Sequence, residues 1–223
     1  MAKQKRRKRS LCFDAPPVMT AWASVAGKKE SEGPLQGYFD YTNADTYFGE
    51  KTWEKAECHM QEIAMETLLQ KAGKQTRDVD LVFSGDLLNQ CISSSFALRN
   101  TGLPSLGLYG ACSTMAESLL LASMAVSGGF ADRAVAMTSS HFASSERQYR
   151  YPLGYGGQRT PTAQWTVTGS GAALVSGQGE GPRVEAATVG TIVDLGVTDA
   201  NNMGAAMAPS AFETIRAHFD DLG

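Results

Sequence analysis

The chain of 223 residues is 43% hydrophobic and 19% charged, with a formal net charge of -3, which suits a soluble globular protein of one large or two small domains. No apolar run is long enough to cross a bilayer, and a net acidic chain argues against nucleic acid as a partner. Four separated cysteines without a CxxC pair and three separated histidines give a metal site no support and fit a reducing compartment.

The chain opens on the basic stretch "MAKQKRRKRS", residues 1–10. No apolar segment follows it, so it is not a secretion signal. It reads as a solvated, disordered tail, with attraction to anionic lipid as the alternative. From Val18 to Tyr47 the chain is rich in Gly, Pro, Asp and aromatic residues. That stretch reads as a long ordered loop anchored by Leu35, Tyr38 and Phe39. "TWEKAECHMQEIAMETLLQKAG" then sets Ala56, Met60, Ile63, Ala64, Thr67 and Leu68 on one face at helical spacing, with Thr52 as N-cap and Gly73 as C-cap.

"DLVFSG", Asp80 to Gly85, is a short buried strand running into the polar turn "DLLNQ". "SSFALRNTG" predicts a helix and "PSLGLYG" a strand. A helix from about residue 113 to 126 follows, stopped by Gly128 and Gly129, and "RAVAMTSS" is the next strand. "VTGSGAALVS" and "PRVEAATVGTIVD" read as neighbouring strands, and "PSAFETIRAHFDDLG" as the last helix. Strands alternating with helices predict an α/β fold around a mixed, mostly parallel sheet.

"AMETLLQKAG" (Ala64 to Gly73) and "AFETIRAHFDDLG" (Ala211 to Gly223) share the pattern Ala-x-Glu-Thr-aliphatic. With the α/β order, the match suggests a duplicated unit. The expected organisation is a basic tail at 1–10, a first unit at 11–209, and the opening helix of a second, truncated unit at 210–223.

Cys112 falls in "GACST", between a strand and a helix. There a helix dipole and free backbone N–H groups can stabilise a thiolate, and Gly110 permits a tight turn. A small buried cysteine filling that turn is the competing explanation.

The stretches "GPLQGYFD", "SGDLLNQ", "YGACSTMAES", "TSSHFASSERQYRYPLGYGGQRTPTAQWTVTGSGA" and "TVGTIVDLGVTDANNMGAAMAPSAFETI" are similar to the stage V sporulation protein AD family of the thiolase-like superfamily. The likeness covers nearly all of the chain from Gly33 onward. It implies the first half of a thiolase-like fold, with the helix after Cys112 buried at the nucleophile position. It further implies binding of dipicolinic acid, free or as its calcium chelate, for uptake into the developing spore. Other stage V sporulation channel proteins at the inner spore membrane are the implied partners, with a homodimer typical of such folds. The implied location is the spore, in solution or peripherally attached to that membrane. A half-fold would leave an apolar face and a sheet edge exposed.

Dipicolinate is a flat pyridine ring with two carboxylates, so its site calls for cationic forks, neutral donors and an aromatic slot. "SSHFASSERQYRYP" supplies Ser139, Ser140, His141, Arg147 and Arg150, with Tyr149 and Tyr151 beside them. Asp86 and Asn89 follow a strand, where α/β sheets place ligands. Asp86 can hold calcium or orient an arginine, or simply close an Asx-turn or cap a helix. Cys112 completes the candidate set, and Asn201, Asn202 and Met203 are added as cleft residues. No cofactor is called for under this reading. The alternative is a thiolase or ketosynthase-type acyltransferase using Cys112 on a coenzyme A thioester. Of the histidines, His59 and His218 read as packing or surface residues, and only His141 is placed to act as a base. A third reading is a scaffold that recruits channel subunits and binds no small molecule.

Overall fold

The computed structural model describes residues 5–149, 165–199 and 202–223. Chain order is β1 (Lys5–Arg7), β2 (Ser10–Cys12), β3 (Val18–Ala26), α1 (Lys28–Ser31), β4 (Tyr41–Thr42), α2 (Trp53–Ala72), β5 (Leu81–Gly85), α3 (Ile92–Leu98) and β6 (Ser105–Leu108). α4 (Thr114–Ser127), β7 (Arg133–Ser140), α5 (Phe142–Tyr149), β8 (Gly169–Ser176), β9 (Ala186–Thr188) and α6 (Met203–Leu222) follow.

The main sheet has the order β4-β3-β8-β7-β5-β6. β7, β5 and β6 run parallel, as do β3 and β4, while β8 is antiparallel to both β3 and β7. Side chains alternate across the strands, so each face takes its own helices. On one face Val82, Val135, Met137 and Leu174 pack against Met60, Ala64 and Leu68 of α2. On the other, Phe83, Ala134, Ala136 and Val175 meet Ala122, Ala125 and Val126 of α4. The predicted caps of α2 are present: Thr52 accepts the Lys55 N–H at 3.2 Å. Gly73 adopts a left-handed conformation at φ 61° that closes the last turn. Gly85 lets α4 approach the sheet, since a Cβ there would run into the Leu108 carbonyl and the Thr114 methyl.

Three expectations are corrected. The basic tail is ordered from Lys5, because β1 pairs with β2 and β2 pairs with β9. Backbone pairing and the Asp221 carboxylate, which accepts the N–H groups of Arg9 and Ser10 at 3.0 Å, offset the repulsion that a basic run carries. The segment read as a loop from Val18 begins with the nine-residue strand β3. Its alanines are weak strand formers, but Ala21, Ala23 and Val25 alternate into the core beneath α2. Finally, β9 does not neighbour β8; it pairs with β2 in the small sheet.

Two apolar surfaces stay uncovered among the described residues. α4 buries Thr114, Ser118, Ala122 and Val126 but leaves Met124 exposed, and the edge strand β6 is largely exposed as well. On α6, Phe212, Ile215 and Phe219 are exposed. Ile215 occupies the place in the repeated pattern that Leu68 fills on α2, where Leu68 is fully buried.

Candidate functional site at the C-terminal edge of the sheet

Because β5, β6 and β7 are parallel, their C-terminal ends share one edge of the sheet. Ser140, ending β7, pairs with Gly169 at the start of β8, and Gly169 pairs with Ala26 at the end of β3. The segments carrying Lys28, Asp86, Asn89, Cys112, His141 and Trp165–Thr168 therefore converge on that edge. Open α/β sheets bind ligands there.

Cys112 is exposed in a one-turn 3-10 segment, Ala111–Ser113, that leads into α4. Ala111 holds a left-handed φ of 49°, a conformation costing a non-glycine residue about 1–3 kcal/mol. Gln90 and Cys91, in the turn after β5, are left-handed as well, at φ 64° and 51°. The two strained turns touch: the Cys91 thiol donates to the Leu108 carbonyl at 3.1 Å, and the Tyr109 hydroxyl donates to Asn89 Oδ1 at 3.4 Å. Ser113 donates to the Gly110 carbonyl and Thr114 to the Ala111 carbonyl, at 2.7 and 2.8 Å. These hydroxyls fix the turn around Cys112 rather than capping the helix. Strain held in place at a strand's C-terminal end is the kind of feature that collects at functional sites.

Asp86, Ser139 and His141 lie beneath this surface. Asp86 is 1% exposed. Its Oδ1 accepts the Leu88 N–H at 2.9 Å, and its Oδ2 accepts the Ser94 N–H and hydroxyl at 2.8 and 2.7 Å. That is an Asx-turn combined with a cap for α3, whose own N-cap residue, Cys91, makes no side-chain cap bond. Gln61 extends the network, donating to Ser94 and Ser139 at 3.1 and 2.7 Å and accepting from Ser84 at 3.1 Å. Ser139 and Ser144 donate to the two oxygens of the buried Glu57 carboxylate at 3.0 and 2.6 Å. The sequence reading missed Glu57 and Gln61. Their signal was an i, i+4 polar pair on α2 facing the inward serines of β5 and β7.

Both ring nitrogens of His141 are engaged within the fold. Nδ1 accepts the Ala143 N–H at 3.1 Å, so Nε2 carries the hydrogen and donates to the Thr46 carbonyl at 2.8 Å. Burial holds its pKa below the ordinary 6.5, against the raising effect of the Thr46 carbonyl. This neutral ring belongs to a stack in which Trp53, His141, Phe142 and Trp165 follow at centroid spacings of 6.4, 4.9 and 5.6 Å. A recess opens beside Phe142 and Trp165, with Lys28, Lys29 and Glu30 along its wall.

Asn89 and Cys112 are exposed at the edge, and Ser140 donates its hydroxyl to the Val167 carbonyl. Arg147 lies on α5, but its side chain, like Arg150, falls outside the described residues. So do Tyr149 as a side chain, Tyr151 and Asn201. Asn202 caps α6, accepting the Ala205 N–H at 3.2 Å, and Met203 is the first residue of that helix. His59 Nδ1 contacts the Phe48 carbonyl at 3.2 Å, and His218 Nδ1 contacts Thr188 at 2.8 Å, so both serve packing. Among the described residues no group of three or more His, Cys, Asp or Glu can hold a metal ion, and no helix is long and apolar enough to cross a membrane.

Comparison with known proteins bears on this arrangement. The family model for stage V sporulation protein AD matches residues 7–223. Stage V sporulation protein AD of Bacillus subtilis (strain 168) is 46% identical over 215 residues, 96% of this chain and 64% of the relative's length. A crystal structure of an OleA variant from Xanthomonas campestris, bound with cerulenin, superposes with a TM-score of 0.57 at 14% identity, covering 92% of this chain and 70% of that one. For 3-oxoacyl-[acyl-carrier-protein] synthase III from Aquifex aeolicus the TM-score is 0.47 at 15% identity, over 72% and 53% of the two chains. The fold is thiolase-like.

Proposed function

Since the chain belongs to the stage V sporulation protein AD family, we propose that it binds dipicolinic acid at the C-terminal edge of its sheet, for uptake into the developing spore, and does no chemistry on it. One observation carries the non-catalytic part of this reading. His141, the only histidine placed near the core strands' ends, has both ring nitrogens committed to Thr46 and Ala143. A group so engaged has no free lone pair with which to take a proton from Cys112, so within this chain, which spans 64% of the relative's length, no histidine serves that thiol as a base. The edge instead offers a rigid rim of exposed residues, Asn89 and Cys112 among them, over a fixed polar layer. Such preorganisation serves binding.

On this reading the protein works in the spore, in solution or peripherally at the inner spore membrane, alongside other stage V sporulation channel proteins. A homodimer is compatible with it.

Equilibrium dialysis against dipicolinate, run beside intact-mass analysis after incubation with an acyl-coenzyme A, separates binder from acyltransferase. The expected result is retained dipicolinate in both wild type and Cys112→Ala, with no acyl adduct on the wild-type protein. A stoichiometric acyl adduct that disappears in Cys112→Ala would favour the acyltransferase instead.

A further inference from the structure

Six of the chain's 20 lysines and arginines fall within residues 3–9, a stretch that holds no acid, which leaves 14 against all 23 aspartates and glutamates. The charge is segregated: one basic pole on an otherwise acidic chain. The family model begins at residue 7, so Lys3, Lys5 and Arg6 lie before the matched stretch. A solvated tail would spread these charges over many conformations, but the fold gathers them into a hairpin.

β1 sets Lys5, Arg6 and Arg7 opposite Cys12, Leu11 and Ser10 of β2. Lys8, exposed and left-handed at φ 46°, turns the chain. The second arm is clamped from below. Asp221 accepts the N–H groups of Arg9 and Ser10, and the Arg9 guanidinium donates to the Thr191 hydroxyl at 3.2 Å and the Glu213 carbonyl at 3.1 Å. The hydroxyls of Ser10 and Thr188 meet at 2.7 Å. The order β1-β2-β9 leaves β1 at the edge of its sheet. Charge on an edge strand deters pairing with other chains, which a mixture of signs would do equally well. Cations alone select an anionic partner.

We propose that this hairpin is a docking surface for a bilayer rich in anionic headgroups, with Lys3, Lys5, Arg6 and Arg7 supplying the attraction and Arg9 bracketing the hairpin to α6. It gives the peripheral attachment named above a surface and does not depend on dipicolinate. Clusters of about 4–8 cations suit anionic membranes, each adding about fivefold in affinity. A membrane is favoured over nucleic acid because residues 1–12 carry no aromatic side chain on which a base can stack. Only the basic pole comes within a screening length, about 8 Å, of a flat surface, whereas a polyanion that wraps the chain meets its acidic remainder.

The small sheet joins the main one at the Val18 end of β3. There Val18 bridges Arg183, and the Val184 and Phe13 N–H groups donate to the Pro17 and Glu185 carbonyls at 2.9 Å. The candidate site lies past Ala26, at the other end of that strand. Nine extended residues set the two ends roughly 25 Å apart, so a chain docked by its hairpin keeps the site edge clear of the bilayer.

Flotation of the intact chain with phosphatidylcholine vesicles, plain or one-third phosphatidylglycerol, tests the proposal. The expected result is retention at least tenfold stronger on the anionic vesicles and lost at about 0.5 M salt. The variant Lys5→Gln, Arg6→Gln, Arg7→Gln should bind about a hundredfold more weakly. Arg6→Lys, Arg7→Lys changes the same strand but keeps its charge, and should stay within about threefold of wild type. So should Lys51→Gln, Lys74→Gln, Arg77→Gln, which removes three exposed cations elsewhere and alters the net charge equally. An equal loss in that last variant, or wild-type retention by the hairpin glutamine variant, would overturn the hairpin as the surface. Equal retention on plain vesicles, or none on either kind, would overturn anionic lipid as the partner. Labelled duplex DNA bound at low salt by a chain that ignores the vesicles would transfer the hairpin to nucleic acid and overturn the proposal.

Discussion

Replacing Asp86 with alanine is expected to cost the fold about 3–5 kcal/mol. The carboxylate accepts three hydrogen bonds within 2.9 Å and is 1% exposed. Its loss strands the Leu88 and Ser94 N–H groups away from water, each at about 1–3 kcal/mol, and removes the cap of α3. The Ser94 hydroxyl also loses its acceptor, and with it the orientation that lets it accept from Gln61. Asp86→Asn keeps one acceptor oxygen but turns an amino group toward one of the donors, so about half the loss is expected. Urea denaturation at pH 7 reads both variants. A loss below about 1 kcal/mol for Asp86→Ala would show that the buried network does not hold this edge together.

Glu57→Gln is expected to stabilise the protein at alkaline pH. Burial is the main force pushing the Glu57 carboxyl up from 4.5 to about 7; Ser144 and Ser139 oppose it, and the charges of Asp86 and Glu54 reinforce it. Between those two values the folded protein holds a proton that the unfolded chain has released. The stability this contributes is complete below pH 4.5, declines as pH rises, and is lost above about 7. The shift corresponds to about 3 kcal/mol. A glutamine removes the titration yet fits the same partners. Its oxygen accepts from Ser139, and its amino group donates to Ser144, which can turn its hydroxyl to the His141 carbonyl at 3.3 Å. The variant should therefore match wild type near pH 4.5 and exceed it by up to about 3 kcal/mol at pH 8. His141 acts on the acid side. Held neutral by burial, it lets the unfolded chain gain protons preferentially below its ordinary 6.5, so stability falls with acid in wild type and variant alike. Thermal denaturation between pH 4.5 and 8.5 gives both curves, and a variant no more stable than wild type at pH 8 would refute the buried titration.

What the sequence reveals follows from how local each signal is. α2 is legible end to end, because its apolar spacing and its caps at Thr52 and Gly73 are written in neighbouring residues. The edge carrying Asp86, Asn89, Cys112 and His141 is legible too, since each follows a recognisable strand. β3 is not, because its strand character comes from being flanked by β8 and covered by α2, and those contacts are distant in sequence. The same holds for the hairpin at Lys5–Cys12, whose Ser10 pairs with Thr188 of β9, 178 residues later.

Within the site, residue type was a better guide than role. Asp86, Ser139 and His141 were singled out as chemically capable, and they are, but their capacity is spent inside the fold. Glu57 and Gln61 are fully buried on α2, which its apolar spacing alone does not mark. Lys28 and Lys29 follow β3, and only the pairing of β3 with β8 brings them beside Trp165. Leu68 and Ile215 make the same point for the repeat: equal places in one pattern, one buried and one exposed.

The most direct test of the account is calorimetric titration of dipicolinic acid into the intact protein, with cooperative unfolding confirmed on the same sample. Saturable heat at one equivalent per chain that survives Cys112→Ala is the predicted result. A flat titration from a cooperatively folded sample would contradict it and return Cys112 to the role of acyl carrier.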